Sequence, residues 1–310
     1  MNVSVVVPVY NSEATIAPLV DRLRRVLAEA AEDYEIILVN DGSTDRSWDT
    51  IRTLAADGDK VVGVDLMRNY GQHNALLQGI NIARHEAIVT IDDDLQNPPE
   101  EIPRLLRELE AGADVVYGIP AEIRQSFWRR RGSALLRLMV QSALGPELAR
   151  SVSSFRAMRS ELKQAFREYR GPFIIIDVPL SWGTSRFGAV RVRHEPRREG
   201  TSNYGFIKLL AQAVNVITGF SAWPLKVVSF LGFGFTVFGV GILVYVVGRY
   251  LVLGYSFPGF PFLASIIAIF SGAQFLVLGI IGSYLARLHF RNMGRPAGLV
   301  RETTRGGQRA

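Results

Sequence analysis

Ala87-Ile88-Val89-Thr90-Ile91-Asp92-Asp93-Asp94-Leu95-Gln96-Asn97-Pro98-Pro99-Glu100 passes from five uncharged, mostly β-branched residues straight into three carboxylates and a proline pair. The first five read as a buried parallel strand, and the prolines open a helix over Pro99–Ala111. Outward from this stretch the same alternation recurs. Val3–Val7, Tyr34–Val39, Val61–Leu66 and Asp114–Tyr117 read as strands, with Thr15–Ala30, Thr44–Ala56 and Gln72–Ala83 as the helices between them. That order predicts a mainly parallel, doubly wound α/β sheet whose ligands lie at the C-terminal strand ends. The polar clusters fall at those ends: Pro8-Val9-Tyr10-Asn11-Ser12-Glu13, Asn40-Asp41-Gly42-Ser43-Thr44-Asp45, Arg68-Asn69-Tyr70-Gly71-Gln72 and the Asp triplet.

Adjacent carboxylates at a strand end repel one another unless a cation or hydrogen-bond donors stand between them. Oxygen-only ligation suits Mg²⁺ or Mn²⁺ bridging phosphate oxygens. The alternative is a solvated acidic turn, or a cap for the helix near Pro98-Pro99; Asp41 and Glu13 at the same sheet edge favour a site. Neither a Gly-x-Gly-x-x-Gly fingerprint nor a Walker loop is present, which removes the main support for dinucleotide and P-loop readings. The absence of cysteine excludes disulfides, thiolate metal sites and cysteine nucleophiles. His73, His85, His194 and His289 lack ligand spacing or a triad partner.

The formal charge of +6 conceals a segregation. Residues 1–119 carry 10 basic and 21 acidic side chains, residues 120–200 carry 16 and 7, and residues 201–310 carry 9 and 1. The basic part is also the apolar part, so a lipid surface fits it better than nucleic acid does. No charge occurs from Val227 to Gly248, nor from Tyr250 to Ala286, and the second stretch is broken by a turn at Ser256-Phe257-Pro258-Gly259-Phe260-Pro261. At about 1.5 Å per residue either half spans a bilayer core of about 30 Å. Two transmembrane helices are therefore expected, about 227–253 and 262–286, within a hairpin over 225–289; a pair of buried core helices is the alternative. Arg287, Arg291, Arg295, Arg301, Arg305 and Arg309 after the second span, and Lys226 before the first, place both termini in the cytoplasm. Gly279 and Ser283 form a small-x-x-x-small pair in the second span. The remaining organisation is a nucleotide-binding half over 1–119, an acceptor-side half over 120–203, a juxtamembrane amphipathic helix over 204–224 and a basic tail over 290–310.

Taken together, Val7-Pro8-Val9-Tyr10-Asn11-Ser12-Glu13, Asn40-Asp41-Gly42-Ser43-Thr44-Asp45, Arg68–His73 and Asp92–Glu100 resemble the family-2 glycosyltransferases with the GT-A fold, and among them the polyprenyl-phosphate glycosyltransferases. The resemblance covers nearly the whole chain. It implies a nucleotide-sugar donor, most simply a UDP-sugar, an undecaprenyl-type phosphate acceptor, a divalent metal and a homo-oligomer such as a tetramer. By position it places Pro8, Tyr10, Glu13, Asp41, Asp93 and Gln96 around the donor nucleotide. Asp92 would contact the ribose or sugar, and Asp94 would ligate the metal.

Arg124, Arg129, Arg130 and Arg131 precede an apolar run from Ala134 to Leu144, which reads as an interfacial helix or as an ordinary surface helix. Ser153-Ser154-Phe155-Arg156 aligns with the family's Gly-Asp-Phe-Arg, so Ser154 replaces an acid. A phosphate monoester is already largely ionised near neutral pH, with a second pKa of about 6, so no base at 154 is required. Arg129, Arg156, Arg198, Ser202 and Tyr204 are the acceptor-phosphate candidates, the last three from a family-like Arg-x-Gly-x-Ser-x-Tyr segment. The expected activity is inverting sugar transfer for cell-envelope glycan or lipid modification. A processive polysaccharide synthase is the first rival, but two spans are few for a polymer channel and Gln125-Ser126-Phe127-Trp128-Arg129 is not the acceptor motif Gln-x-x-Arg-Trp. A non-catalytic scaffold retaining a nucleotide pocket is the second.

Overall fold

The computed structural model describes residues 1–121, 152–167, 174–195, 223–254, 259–293 and 296–305. The chain separates into two compact units, Met1–Gly205 with Arg291–Ala310, and Phe206–Phe290.

In chain order the first unit contains β1 (Val3–Val9), α1 (Glu13–Ala30), β2 (Tyr34–Asn40), α2 (Ser47–Ala56), β3 (Val61–Leu66), α3 (Gln72–Ile82) and β4 (Ala87–Thr90). After a 3-10 turn at Pro99–Glu101 follow α4 (Ile102–Glu110), β5 (Val115–Pro120) and β6 (Arg156–Arg159). Next come a 3-10 turn at Ser160–Lys163, α5 (Gln164–Arg167), α6 (Asp177–Gly183) and β7 (Phe187–Val192). The second unit contributes α7 (Trp223–Leu253) and α8 (Phe260–Asn292), after which β8 (Val300–Thr303) returns to the first.

One eight-stranded sheet results, in the order β7-β5-β6-β4-β1-β2-β3-β8. β1 lies parallel to β2 and β4, β2 parallel to β3, and β5 parallel to β7. β6 is antiparallel to both β4 and β5, and β8 is antiparallel to β3. The sheet is therefore mixed, where a mainly parallel one was expected.

Both sheet faces are buried, and the period of two along each strand divides the core. Val3, Val5, Val7, Ile36, Leu38 and Val89 face Ile16, Leu19, Leu23 and Leu27 of α1 and Leu105 and Leu109 of α4. Val6, Ile37, Val39, Val64 and Ile88 face Leu76, Leu77 and Ile80 of α3. The α1 spacing of three and four residues puts its apolar side chains on one stripe, each contributing about 1.5–3 kcal/mol on full burial. Pro8 is buried within β1, opposite Val39. It belongs to the sheet and does not line an open donor pocket, because the strand runs one residue past it before the chain turns out at Tyr10.

In the second unit, Val227–Arg249 is long and apolar enough to cross a membrane. Two such spans were expected. The other apolar stretch, Phe270–Ala286, falls short of that length among the described residues. Phe235 and Phe270 meet edge to face with centroids 5.6 Å apart, joining α7 to α8. Ser229, Thr236 and Ser283 donate their hydroxyls to the carbonyls of Leu225, Gly232 and Gly279, four residues back. That leaves no unpaired hydroxyl proton at those positions on the apolar surface.

Candidate active site

The C-terminal ends of β1, β2, β3 and β4 converge, and each delivers one polar cluster. After β4, Asp92 accepts from Gln72 Nε2 at 2.6 Å and from Ser154 Oγ at 2.5 Å. Asp93 accepts from the Tyr10 N–H at 3.2 Å, and Asp94 from the Gln96 N–H at 3.1 Å. Leu95 turns the chain there with φ 60, an uncommon conformation for a branched residue, and its side chain is buried. Burial pushes Asp92 upward, with Asp94's charge adding to it against the opposing Ser154 and Gln72 donors. Burial likewise pushes Asp93 up to about 6.

Asp41, at the end of β2, is buried and accepts from the N–H groups of Tyr70 at 2.7 Å and Gly71 at 2.8 Å. Burial raises its carboxyl, and the two N–H donors offset part of that rise. Each oxygen keeps a second lone-pair direction that a base N–H could use. Gly42 has φ +66, and a Cβ there would stand 2.5 Å from the Arg68 carbonyl carbon and 2.6 Å from the Asn69 nitrogen. Gly42→Ala is accordingly expected to cost about 2–4 kcal/mol from the left-handed backbone and the clash, read as a lowered thermal midpoint.

Tyr10 lies past the end of β1 and is 49% exposed, free to stack on a planar base. Glu13 begins α1; its N–H donates to Asp45 at 3.1 Å, and its carboxylate accepts from the Arg46 N–H at 3.4 Å. Gln96 is half-buried and its carbonyl accepts from the Glu195 N–H at 2.8 Å. Of the donor candidates, Tyr10, Asp41, Asp92, Asp93, Asp94 and Gln96 thus share one sheet edge.

Ser154 stands beside Asp92 because β6 pairs with β4 through Thr90 and Arg156, and because Thr90 Oγ1 donates to the Ser154 carbonyl at 2.6 Å. Arg156 departs from expectation. It is 1% exposed, paired with Asp177, which also accepts from Tyr117 Oη at 2.8 Å. Its guanidinium is enclosed with the buried Asp177 carboxylate rather than open to solvent, at the start of β6, two residues after Ser154. Arg129, Arg198, Ser202, Tyr204, the segment from Arg124 to Leu144 and the juxtamembrane helix lie outside the described residues.

His73, read from sequence as carrying no role, packs against this buried pair, its Nδ1 3.5 Å from the Ile176 nitrogen. Burial lowers its pKa to about 4, and Arg156 adds to the effect. An imidazole held neutral in the fold binds fewer protons than the unfolded chain between about pH 6.5 and 4, so stability falls as pH drops through that window. His73→Gln is expected to flatten this part of the stability–pH curve, measured by thermal unfolding from pH 7 to 4. Gln72 was visible only as part of a quoted motif. Tyr117 and Asp177 gave no signal, since their partners are remote in sequence.

Among the described residues no group of three or more His, Cys, Asp or Glu is assembled that could hold a metal ion alone. The donor set is instead one or two carboxylates at an open edge, which fits a hard cation completing its shell with phosphate oxygens and water. Asp94, with Asp92 nearby, would hold it.

The family model for glycosyl transferase family 2 matches residues 4–170. This chain belongs to that family. The glycosyltransferase is 34% identical over 309 residues to the undecaprenyl-phosphate 4-deoxy-4-formamido-L-arabinose transferase of Edwardsiella ictaluri, covering 99% of this chain and 95% of that one. It is 36% identical over 306 residues to the transferase of the same name from Pseudomonas aeruginosa, covering 98% and 90%. With that of Shewanella sediminis it shares 37% identity over 306 residues, covering 97% and 92%. Among solved structures, glucosyl-3-phosphoglycerate synthase from Mycobacterium tuberculosis, in complex with Mn²⁺ and UDP-glucose, superposes with a TM-score of 0.51 at 22% identity, over 70% of this chain and 77% of that one. That likeness establishes the GT-A fold of this glycosyltransferase.

Proposed function

We propose that this glycosyltransferase moves a sugar from a UDP-sugar to undecaprenyl phosphate at the cytoplasmic face of a membrane, with inversion at the anomeric carbon. The observation that carries the reading is the edge where Tyr10, Asp41 and Asp92–Asp94 converge, in a chain similar over its length to relatives named for transfer to undecaprenyl phosphate.

Tyr10 and Asp41 hold the base, Asp92 is oriented by Gln72 and Ser154 toward the ribose or sugar, and Asp93 braces the Tyr10 turn. Asp94 would hold a divalent cation, Mg²⁺ or Mn²⁺, which would supply charge stabilisation for the departing diphosphate. An ionised oxygen of the acceptor phosphate forms the new bond to the anomeric carbon while the bond to the nucleoside diphosphate breaks. No proton leaves the acceptor in this step, so Ser154 suffices without an acid or base at that position. Arg129, Arg198, Ser202 and Tyr204 are assigned to the acceptor phosphate.

The membrane reading rests on α7 and on parity. A single sheet lies on one side of a bilayer, and β8 joins the sheet formed by β1–β7. The chain between them therefore crosses an even number of times, which supports α8 as the returning span and both flanks on one side. The basic residues after α8 make that side cytoplasmic.

The test is transfer by purified protein, with Mg²⁺ or Mn²⁺, from UDP-, dTDP- and GDP-sugars to undecaprenyl phosphate. A lipid monophosphate sugar formed from a UDP-sugar is the expected product. No lipid product with any donor, or a growing polymer, overturns the reading.

A further inference from the structure

We infer that Arg301, beyond the apolar helices in sequence, is a positioning residue for the nucleotide donor, acting through a polar chain that crosses the top of the sheet. The inference rests on the donor reading above and extends it to a strand outside the family-model match.

Arg301 lies on β8, beside the C-terminal end of β3. Its Nη1 donates to Asp65 Oδ2 at 3.1 Å and its Nη2 to the Met67 carbonyl at 2.9 Å, while the Met67 N–H donates to the Leu299 carbonyl at 2.9 Å. The guanidinium thereby fixes both the last residues of β3 and the start of the loop that carries Tyr70 and Gly71. Asp65 is 2% exposed, and its other oxygen accepts from Asn40 Nδ2 at 2.7 Å. Asn40 Oδ1 accepts from the Ser43 N–H at 3.3 Å, and Ser43 Oγ accepts from the Asn11 N–H at 3.0 Å. Asn11 adjoins Tyr10, whose N–H reaches Asp93. The chain thus runs from β8 across β3, β2 and β1 to the loop after β4. Its middle member, Asn40, immediately precedes Asp41.

Without Arg301, the buried Asp65 carboxylate would lose its cationic partner and the β3 loop one anchor, so both partners of Asp41 would be less well held. The same strand segment provides its own control. Arg305 pairs with the buried Glu35 near the start of β2, at the opposite end of the parallel strands from the site, and donates to the Ile82 carbonyl at 3.3 Å. Both arginines tie the C-terminal segment to the sheet, but only Arg301 does so at the donor end.

The experiment measures the Kd of UDP with Mn²⁺ by titration calorimetry, alongside thermal midpoints, for wild type, Arg301→Ala, Arg301→Lys and Arg305→Ala of the full chain. Arg301→Ala is expected to weaken UDP about tenfold, with partial recovery in Arg301→Lys. Arg305→Ala is expected to lower the midpoint and leave the Kd unchanged. An equal Kd change in both alanine variants, or a Kd in Arg301→Ala equal to wild type, overturns the inference. Should Arg301→Ala not accumulate folded, a wild-type Kd in Arg301→Lys overturns it, because lysine keeps the charge but loses the fork spanning Asp65 and Met67. Absence of UDP binding by wild type removes the donor reading and this inference together, an outcome distinct from the others.

Discussion

Asp94→Asn is expected to lower kcat/KM for sugar transfer by about 10³-fold, equivalent to about 4 kcal/mol of lost transition-state stabilisation. The substitution keeps the side chain's shape and an oxygen able to accept from the Gln96 N–H, so the turn through Leu95 is retained. What it removes is the charge that would hold a cation against the donor's diphosphate. Two measurements check this. Steady-state transfer should collapse in the variant, and Mn²⁺ should tighten UDP binding in wild type but barely in Asp94→Asn. Chelation by EDTA should reproduce the loss in wild type and be reversed by added Mn²⁺. Unchanged transfer in Asp94→Asn would return the Asp triplet to an acidic turn and remove Asp94 as the metal ligand, whereas no transfer by wild type would favour the scaffold reading.

Arg156→Ala and Asp177→Ala are each expected to destabilise the fold by about 3–5 kcal/mol, because each strands an ionised partner in the interior. Arg156 is 1% exposed, and its Nε is already buried without a hydrogen-bond partner. Tyr117 adds to the cost: burial, with the Asp177 charge beside it, raises its phenol far above the ordinary range, so it stays a neutral donor to that carboxylate. The double variant Arg156→Met with Asp177→Leu should lose much less than the sum of the single losses, since it removes both charges at once. Thermal midpoints of wild type, the single variants Arg156→Met and Asp177→Leu, and this double variant form the cycle. Stable single variants with only a raised KM for the lipid acceptor would restore Arg156 to the acceptor site.

The elements legible in the sequence are those whose patterns are local. β1 and β4 announce themselves as uncharged runs, β2 and β3 as apolar runs with one acid each, and the helices between them by three- and four-residue spacing. The carboxylate edge was legible because strand ends in such a sheet are where ligands gather, and because the motifs there match a family as well as a principle. What escaped was set by distant partners. Arg156-Ala157-Met158-Arg159 begins and ends on arginine, and nothing within it marks a strand. It becomes one because β4 and β5 flank it, Asp177 neutralises Arg156, and Arg159 finds the Leu109 and Ala113 carbonyls. Val300-Arg301-Glu302-Thr303 is polar at three of four positions and reads as tail; only the open edge of β3 makes it a strand. Pro8 was placed at the donor site by resemblance of its motif; its burial within β1, opposite Val39, depends on strand pairing that the motif does not display.

The late return of β8 also sets an order of events during synthesis. β3 and β8 pair across some 240 residues, as in the bond from Gly63 N–H to Thr304 Oγ1 with a separation of 241. Until residues 300–303 leave the ribosome, Val61–Leu66 presents an unpaired edge, and such edges template association with other chains. The two apolar helices α7 and α8 are made in that interval, so on the membrane reading proposed above any insertion into lipid precedes closure of the sheet. On that reading, delayed insertion would prolong the life of the open edge, and prompt insertion would limit association of the sheet with other chains.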